Sequence, residues 1–242
     1  MRRRSSFSFL LLILFSVTLC AQPFWQKKPY SKWSKSECSK MLEDSPWAVS
    51  YAFNAMAMET LQAGQPDGRG RESSPQVRYT VQLRSALPLR QTEVRLEQLS
   101  LNYDSLPGEK KQVFDQDAAK FLVRVQDFVQ FQVNFTSNVQ DYARDLARHW
   151  QARNPSEMQN LIFLNTPGGG RISPLRFAPL KGAGDGFILA FPRQAEGKPL
   201  LETQDQSLTL EFPHPRIGRI QEGRVVVEFK ASKMTVDGQI LY

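Results

Sequence analysis

Cysteine and histidine are the scarce residues of this 242-residue chain, with two of each. Two cysteines exclude a disulfide framework and a cysteine-built zinc or iron–sulfur centre. Two histidines leave little material for a transition-metal site, and neither has a cysteine or the other histidine at ligand spacing. A membrane-spanning apolar run is missing as well. The mostly apolar stretch at 7–19 is 13 residues long, short of the roughly 20 that cross a bilayer as a helix. No Gly-x-Ser-x-Gly elbow marks a nucleophile. The glycines at 168–170 are followed by neither a Lys-Ser/Thr pair nor a helix start, so they read as a hairpin tip and not as a phosphate cradle. The glycines at 182–186 precede a strand-like segment and fail as a dinucleotide fingerprint for the same reason.

What is present is globular: 41% apolar and 23% charged residues exclude a wholly disordered chain. Arg2, Arg3 and Arg4 before the 7–19 run, with the small Ala21 after it, have the layout of an export signal. Residues 1–21 are therefore expected to be a removed signal peptide, with the mature chain starting near Gln22 and lying in the periplasm or outside the cell. Cys20 opens the alternative of a lipoprotein anchor, but Leu19 occupies the place where that processing wants a small residue. The formal charge of +7 includes the three leader arginines and falls to +4 without them. The remaining basic residues are scattered, with no run beyond Lys110-Lys111 and Arg69-Gly70-Arg71, which argues against a nucleic-acid partner. No stable transmembrane segment is expected after processing.

Local signals divide the chain at about residue 154. Before it, Ser34 with Glu37 reads as a capping box, Trp33 and Cys38 as its hydrophobic staple, and Asp44-Ser45-Pro46 as the helix stop. That assigns Cys38 a packing role under a tryptophan rather than a redox one. Trp47, Val49, Tyr51 and Phe53 alternate with small or polar residues, as do Val77, Tyr79, Val81 and Leu83. Two strands paired across a long loop at 62–76 follow. A helix capped near Ser85 is expected to run to about Ser100 on a face of Leu89, Leu96 and Leu99. A short one is expected to start at Asp115, with Asp115 and Asp117 as capping charges. Val129, Phe131, Val133 and Phe135 then mark a strand. Ser137 with Gln140 predicts a capped helix with a buried face through Leu146 and Trp150. After Pro155 no helix is expected. Short strands are predicted at 161–165, 176–178, 187–191, 207–212 and 224–230, with a tight hairpin about Asp237-Gly238.

The expected fold class is α+β: predominantly antiparallel β, sandwich-like in the C-terminal half, with about three to four helices in the N-terminal half. The expected organisation is a signal peptide at 1–21, an α+β region at 22–154 and a β-rich region at 155–242, the last two either separate or joined in one compact domain.

Little in the sequence carries chemistry. His149 falls near the end of the 137–150 helix, off its apolar stripe, and His214 sits between Pro213 and Pro215 in what reads as a loop. Both are expected to be dispensable, no cofactor is expected, and the balance leans away from an enzyme. Asp185 has too few acidic neighbours for a calcium site. The sequon Asn134-Phe135-Thr136 is incidental in a chain with a bacterial-looking leader. Trp25, Tyr30, Trp33 and Trp47 cluster near the mature N-terminus and are the candidate contact residues for a partner or ligand, the alternative being the edge of the core.

The string Trp33-Ser34, Glu37, Met41-Leu42, Asp44-Ser45-Pro46-Trp47-Ala48, with Ser85-Ala86-Leu87-Pro88-Leu89-Arg90, resembles a group of signal-peptide-bearing bacterial proteins of unknown function. Phe191-Pro192, Gly197-Lys198-Pro199-Leu200 and Lys233-Met234 with Asp237-Gly238 extend the resemblance to most of the mature chain. These motifs are structural, so the resemblance implies export and a shared fold without an activity. Two functions are expected from the whole: a non-catalytic cell-envelope interaction or scaffold protein, or a periplasmic small-molecule or glycan-binding protein that uses the N-terminal aromatics.

Overall fold

The computed structural model describes residues 23–55, 74–124, 126–180, 186–204 and 206–242. The leader with its cleavage point and Cys20, most of the 62–76 loop and the glycine-rich 182–185 segment lie outside the described residues.

In chain order the helices are α1 (Phe24–Lys27), α2 (Lys35–Glu43), α3 (Leu87–Ser100), α4 (Gly108–Val123), α5 (Gln140–Gln151), α6 (Pro155–Met158) and α7 (Ala231–Met234). The main strands are β1 (Ala48–Asn54), β2 (Gln76–Leu83), β3 (Phe128–Ser137), β4 (Phe163–Asn165), β5 (Arg171–Ile172), β6 (Arg176–Pro179) and β7 (Gly186–Pro192). The two-residue pair β8 (Gln194–Ala195) and β9 (Lys198–Pro199) precedes β10 (Ser207–His214) and β11 (Gly223–Lys230). The chain ends on the hairpin β12 (Thr235–Val236) and β13 (Gln239–Ile240).

The fold is α+β and its sheets are antiparallel. One sheet runs β1-β2-β3-β7-β6 and the other β11-β10-β4-β5. Strict alternation decides which side chains enter the core, because successive residues of a strand point to opposite faces. Val77, Tyr79 and Val81 of β2, Val129 to Phe135 at every second position of β3, and Phe187, Leu189 and Phe191 of β7 are all buried. They meet Leu208, Leu210 and Phe212 of β10 and Val225, Val227 and Phe229 of β11, also buried. Ring contacts cross between the sheets: Tyr79 to Phe212 at 5.3 Å, Phe187 to Phe212 at 5.5 Å and Phe131 to Phe229 at 5.4 Å. The two regions divided at residue 154 share this core. The second sheet comes wholly from residues after 155, whereas β6 and β7 cross over to complete the first sheet beside β3.

Helix α2 forms as its signals predict. Ser34 Oγ accepts from the Glu37 backbone N–H at 3.2 Å, and the Glu37 carboxylate accepts from the Ser34 N–H at 2.8 Å. Trp33 and Cys38 are both buried in the core beside this cap. The Lys28 ammonium at 2.8 Å and the Ser34 N–H hold the Glu37 carboxyl below its ordinary pKa, and burial pushes the Cys38 thiol up. The hairpin at Asp237-Gly238 also forms. Both residues have positive φ, 49° and 78°, the pair of values that lets a two-residue turn follow the strand twist.

Other local signals yield to tertiary partners. Ser137 is the last residue of β3. Its Oγ donates to the Gln76 carbonyl at 2.7 Å and accepts from the Val139 N–H, so α5 starts at Gln140 without a side-chain cap. Ser85 accepts from the Gln130 N–H instead of capping α3, whose N-cap is Ala86. The buried stripe of α3 runs through Leu89, Thr92 and Val94, leaving Leu96 half-buried and Leu99 exposed. The helix expected at Asp115 begins seven residues earlier, at Gly108 behind Pro107, and the Asp115 carboxylate accepts from the Tyr103 hydroxyl. Two one-turn helices, α6 and α7, appear after Pro155 where none was expected. Asn154 caps α6 by accepting from the Ser156 N–H at 3.1 Å. Among the described residues no helix is long and apolar enough to cross a membrane.

Candidate functional site

The N-terminal aromatics form one edge-to-face chain: Trp33 to Phe24 at 5.5 Å, Phe24 to Trp25 at 5.2 Å and Trp25 to Trp47 at 5.9 Å. Trp33 and Trp47 are fully buried. The Trp33 indole donates to the Lys28 carbonyl at 3.2 Å and that of Trp47 to the Leu241 carbonyl, which ties the start of the sheet to the end of the chain. Tyr30 is half-buried against the same core. Neither Trp33 nor Trp47 presents an open ring face, so their part is to staple the lead-in onto the sheet edge. Trp25 alone of the four lines an open cleft, beside the polar outer face formed by Ser50, Thr80, Asn134 and Thr136.

A second surface lies between α3 and α4. Helix α4 has an apolar stripe of Phe114, Ala118, Phe121 and Leu122 but no buried residue. Val94, Leu101, Leu106, Val113, Phe114 and Phe121 line a groove of about 600 Å³, rimmed by Glu93, Glu97 and Asp117 against the single base Lys110. Leu101, Val113 and Phe121 are large and exposed here, Val113 to 56%. Arg90 fastens the pair: its guanidinium donates to the carbonyls of Phe121 at 3.1 Å and Arg124 at 2.8 Å. Those carbonyls lie at the α4 C-terminus, where helix geometry leaves acceptors unpaired and the dipole favours a cation.

The third candidate was hidden from the sequence, because it needs the two histidines to meet. His214 is not in a loop. It ends β10 at 1% exposure, stacked on Phe53 with centroids 4.1 Å apart. The Trp150 indole, only ever a donor, stands beside the Tyr79 hydroxyl oxygen. That leaves the proton of the buried, protonated phenol for His214 Nδ1 at 2.8 Å and the proton of the neutral ring on Nε2. Helix α5 brings His149 and Trp150 over the same end of the core. It is anchored by Leu146 and by the Tyr142 ring, which lies against Gly218, where no side chain would fit. Arg153 Nε donates to His149 Nε2 at 3.2 Å. Burial, aided by the Arg153 charge, lowers the His149 pKa to about 4. Burial, aided by His149, does the same for His214, also to about 4. Both imidazoles are neutral at neutral pH.

Together these residues line a cleft of about 580 Å³. Trp150, Met158, Leu161 and Pro213 give it an apolar wall, while Arg153, Arg216 and Arg224 supply cations against the one lining carboxylate, Glu222. His214 Nε2 is buried there with no hydrogen-bond partner among the described residues, whereas the Trp150 indole stands beside the Tyr79 hydroxyl. Scarcity of histidine in the sequence argued for dispensability; the fold instead spends both on one place. His214 is part of the core through Tyr79 and Phe53, which corrects its expected place in a loop. The only available signal was weak: His214 continues the alternation of Leu208, Leu210 and Phe212 by one more inward position.

Among the described residues no group of three or more His, Cys, Asp or Glu side chains is placed to hold a metal ion. Comparison with protein-family models, with curated proteins and with solved structures finds no match to this chain.

Proposed function

We propose that the chain is an exported, non-catalytic interaction module of the cell envelope and that the α3–α4 groove is its contact surface. The observation that carries this reading is the placement of Leu101, Val113 and Phe121, three large apolar side chains left exposed along one groove. Clustered apolar exposure of this kind marks protein contact sites, whereas isolated apolar residues are ordinary. The acidic rim adds charge selection. It suits an amphipathic segment with apolar anchors and flanking basic residues, laid along the groove as a helix. The glycan alternative draws on Trp25 and the half-buried Tyr30, since Trp33 and Trp47 are enclosed.

Two measurements test the proposal. Mass spectrometry of the native protein is expected to show an unacylated N-terminus near Gln22; a diacylglycerol-modified Cys20 replaces free export by a membrane anchor. A photo-crosslinking residue at position 113 is expected to trap a discrete envelope protein in living cells, with Val113→Asp plus Phe121→Asp abolishing capture by a tagged chain. Equal crosslinking from position 233, outside the groove, removes the groove from consideration.

A further inference from the structure

The histidine-lined cleft stands apart from the α3–α4 groove, and its chemistry points to a ligand of a different kind. From the three arginines over an apolar wall and the unpartnered imidazole nitrogen of its floor, we infer that this cleft binds a small organic carboxylate. The carboxylate pairs with Arg216 and Arg224, and its apolar body lies against Trp150 and Leu161.

Three observations lead there. First, the floor holds His214 Nε2, on a side chain 1% exposed and without a partner among the described residues. Buried donors are nearly always satisfied in folded proteins, so an orphan at a cleft marks a place where an acceptor atom belongs. With Tyr79 donating to Nδ1, Nε2 carries a proton. The floor therefore asks for an acceptor. Second, the lining charge is positive. Arg153, Arg216 and Arg224 line the cleft against Glu222; Glu157 stands 4.0 Å from Arg153 and Glu211 3.4 Å from Arg224. This excess is modest, and it matches a singly charged group better than a phosphate dianion. The planar fork of arginine also fits the two oxygens of a carboxylate. Third, about 580 Å³ exceeds what a bare anion fills, and the rest of the wall is Trp150, Met158, Leu161 and prolines. A ligand with an apolar body uses that wall.

Both histidines of the chain sit at this cleft, so their imidazole signals in the purified, 15N-labelled protein report on it with no other histidine to interfere. Benzoate is the probe, with benzamide as its neutral isostere and inorganic phosphate as the competing anion. The expected result is a saturable shift of both imidazoles with benzoate. Binding is expected to weaken about tenfold or more in Arg216→Gln plus Arg224→Gln and in benzamide, since each arginine bond is charge-assisted. Arg219→Gln, an exposed arginine outside the cleft, is expected to leave the shift unchanged. Both substituted arginines are exposed, so the double variant is expected to fold, and its unchanged backbone spectrum verifies that. The proposal is overturned if benzoate gives no saturable shift up to about 50 mM, if benzamide binds as well, or if the double variant binds like the parent. Tighter binding of phosphate than of benzoate overturns the carboxylate assignment.

Discussion

The seam between the two sheets and the α3–α4 end of the molecule use similar residues to opposite effect. In the seam, Tyr79, Phe131, Phe187, Phe212 and Phe229 are each buried and each touch a ring of another strand. On α4, Val113, Phe121 and Val123 stay exposed and no residue of the helix is buried. The difference is one of opposing surfaces. A strand's inward row meets a whole facing sheet, whereas the stripe of α4 meets only one flank of α3. What fixes α4 is polar: Arg90 on its last carbonyls, Tyr103 on Asp115, and Lys111 donating to the Asp104 carbonyl at 2.9 Å. Apolar content alone does not say where stability lies. The surface that a side chain faces decides it.

Truncation in the seam separates the two regions most sharply. Phe212 touches Tyr79, Trp150 and Phe187, so Phe212→Ala is expected to cost about 3–5 kcal/mol in urea unfolding. Phe121→Ala, the same chemical change on α4, is expected to cost less than about 1 kcal/mol because its ring keeps much of its surface in water. Equal losses at the two sites break the contrast.

The polar node at the end of the seam comes next in size. Tyr79→Phe deletes the donor to His214 Nδ1 and leaves the imidazole with two unpartnered nitrogens, an expected loss of about 1–3 kcal/mol. The node also fixes a pH dependence. His149 and His214 have folded pKa values lowered from 6.5 to about 4, so between those values the unfolded chain binds the more protons. Stability is therefore full above pH 6.5 and is lost as pH falls toward 4. The Glu37 carboxyl, held below its ordinary 4.5, begins to lose its contribution as pH falls below 4.5, at the acid end of the same range. Urea midpoints at intervals across the window are expected to fall in the parent and to stay flatter in His149→Gln plus His214→Gln. A parallel decline in both proteins assigns the pH dependence to other groups.

How much of this was readable in the sequence follows the same division. Strands with a strict two-residue period were legible to within a residue or two, because that period has one physical solution when a face is buried. The Ser34–Glu37 cap was legible because both halves of it are local. Ser85 and Ser137 look like caps by the same rule, yet each hydroxyl is taken by a neighbouring strand, a partner that no local window contains. Pairing of β7 with β3 joins residues about sixty positions apart and places the later strands in both sheets. The cleft was illegible for that reason. Its histidines lie on a helix and a strand that only the closed core brings together, and nothing near either residue marks it.

The smallest expected effect tests whether α4 is a separate cooperative unit. Arg90 is the principal clasp between α3 and α4. Replacing it with methionine keeps the aliphatic stem while removing two bonds to the carbonyls of Phe121 and Arg124. The same substitution also removes a cost, since Arg90 Nε is buried without a partner among the described residues and burial already lowers the guanidinium pKa. The two terms oppose, so the net change in global stability is expected to be about 1 kcal/mol or less. Local opening is expected to respond far more. The last turn of α4 loses both its hydrogen-bond donors and the cation opposite its dipole, so amide exchange in 116–123 should speed up while that of β3 and β10 stays unchanged. If β3 and β10 exchange faster by the same factor, α4 opens only with the whole molecule. Its exposed stripe is then part of the folded core's cooperative unit, and the division between seam and surface helix drawn from burial does not hold.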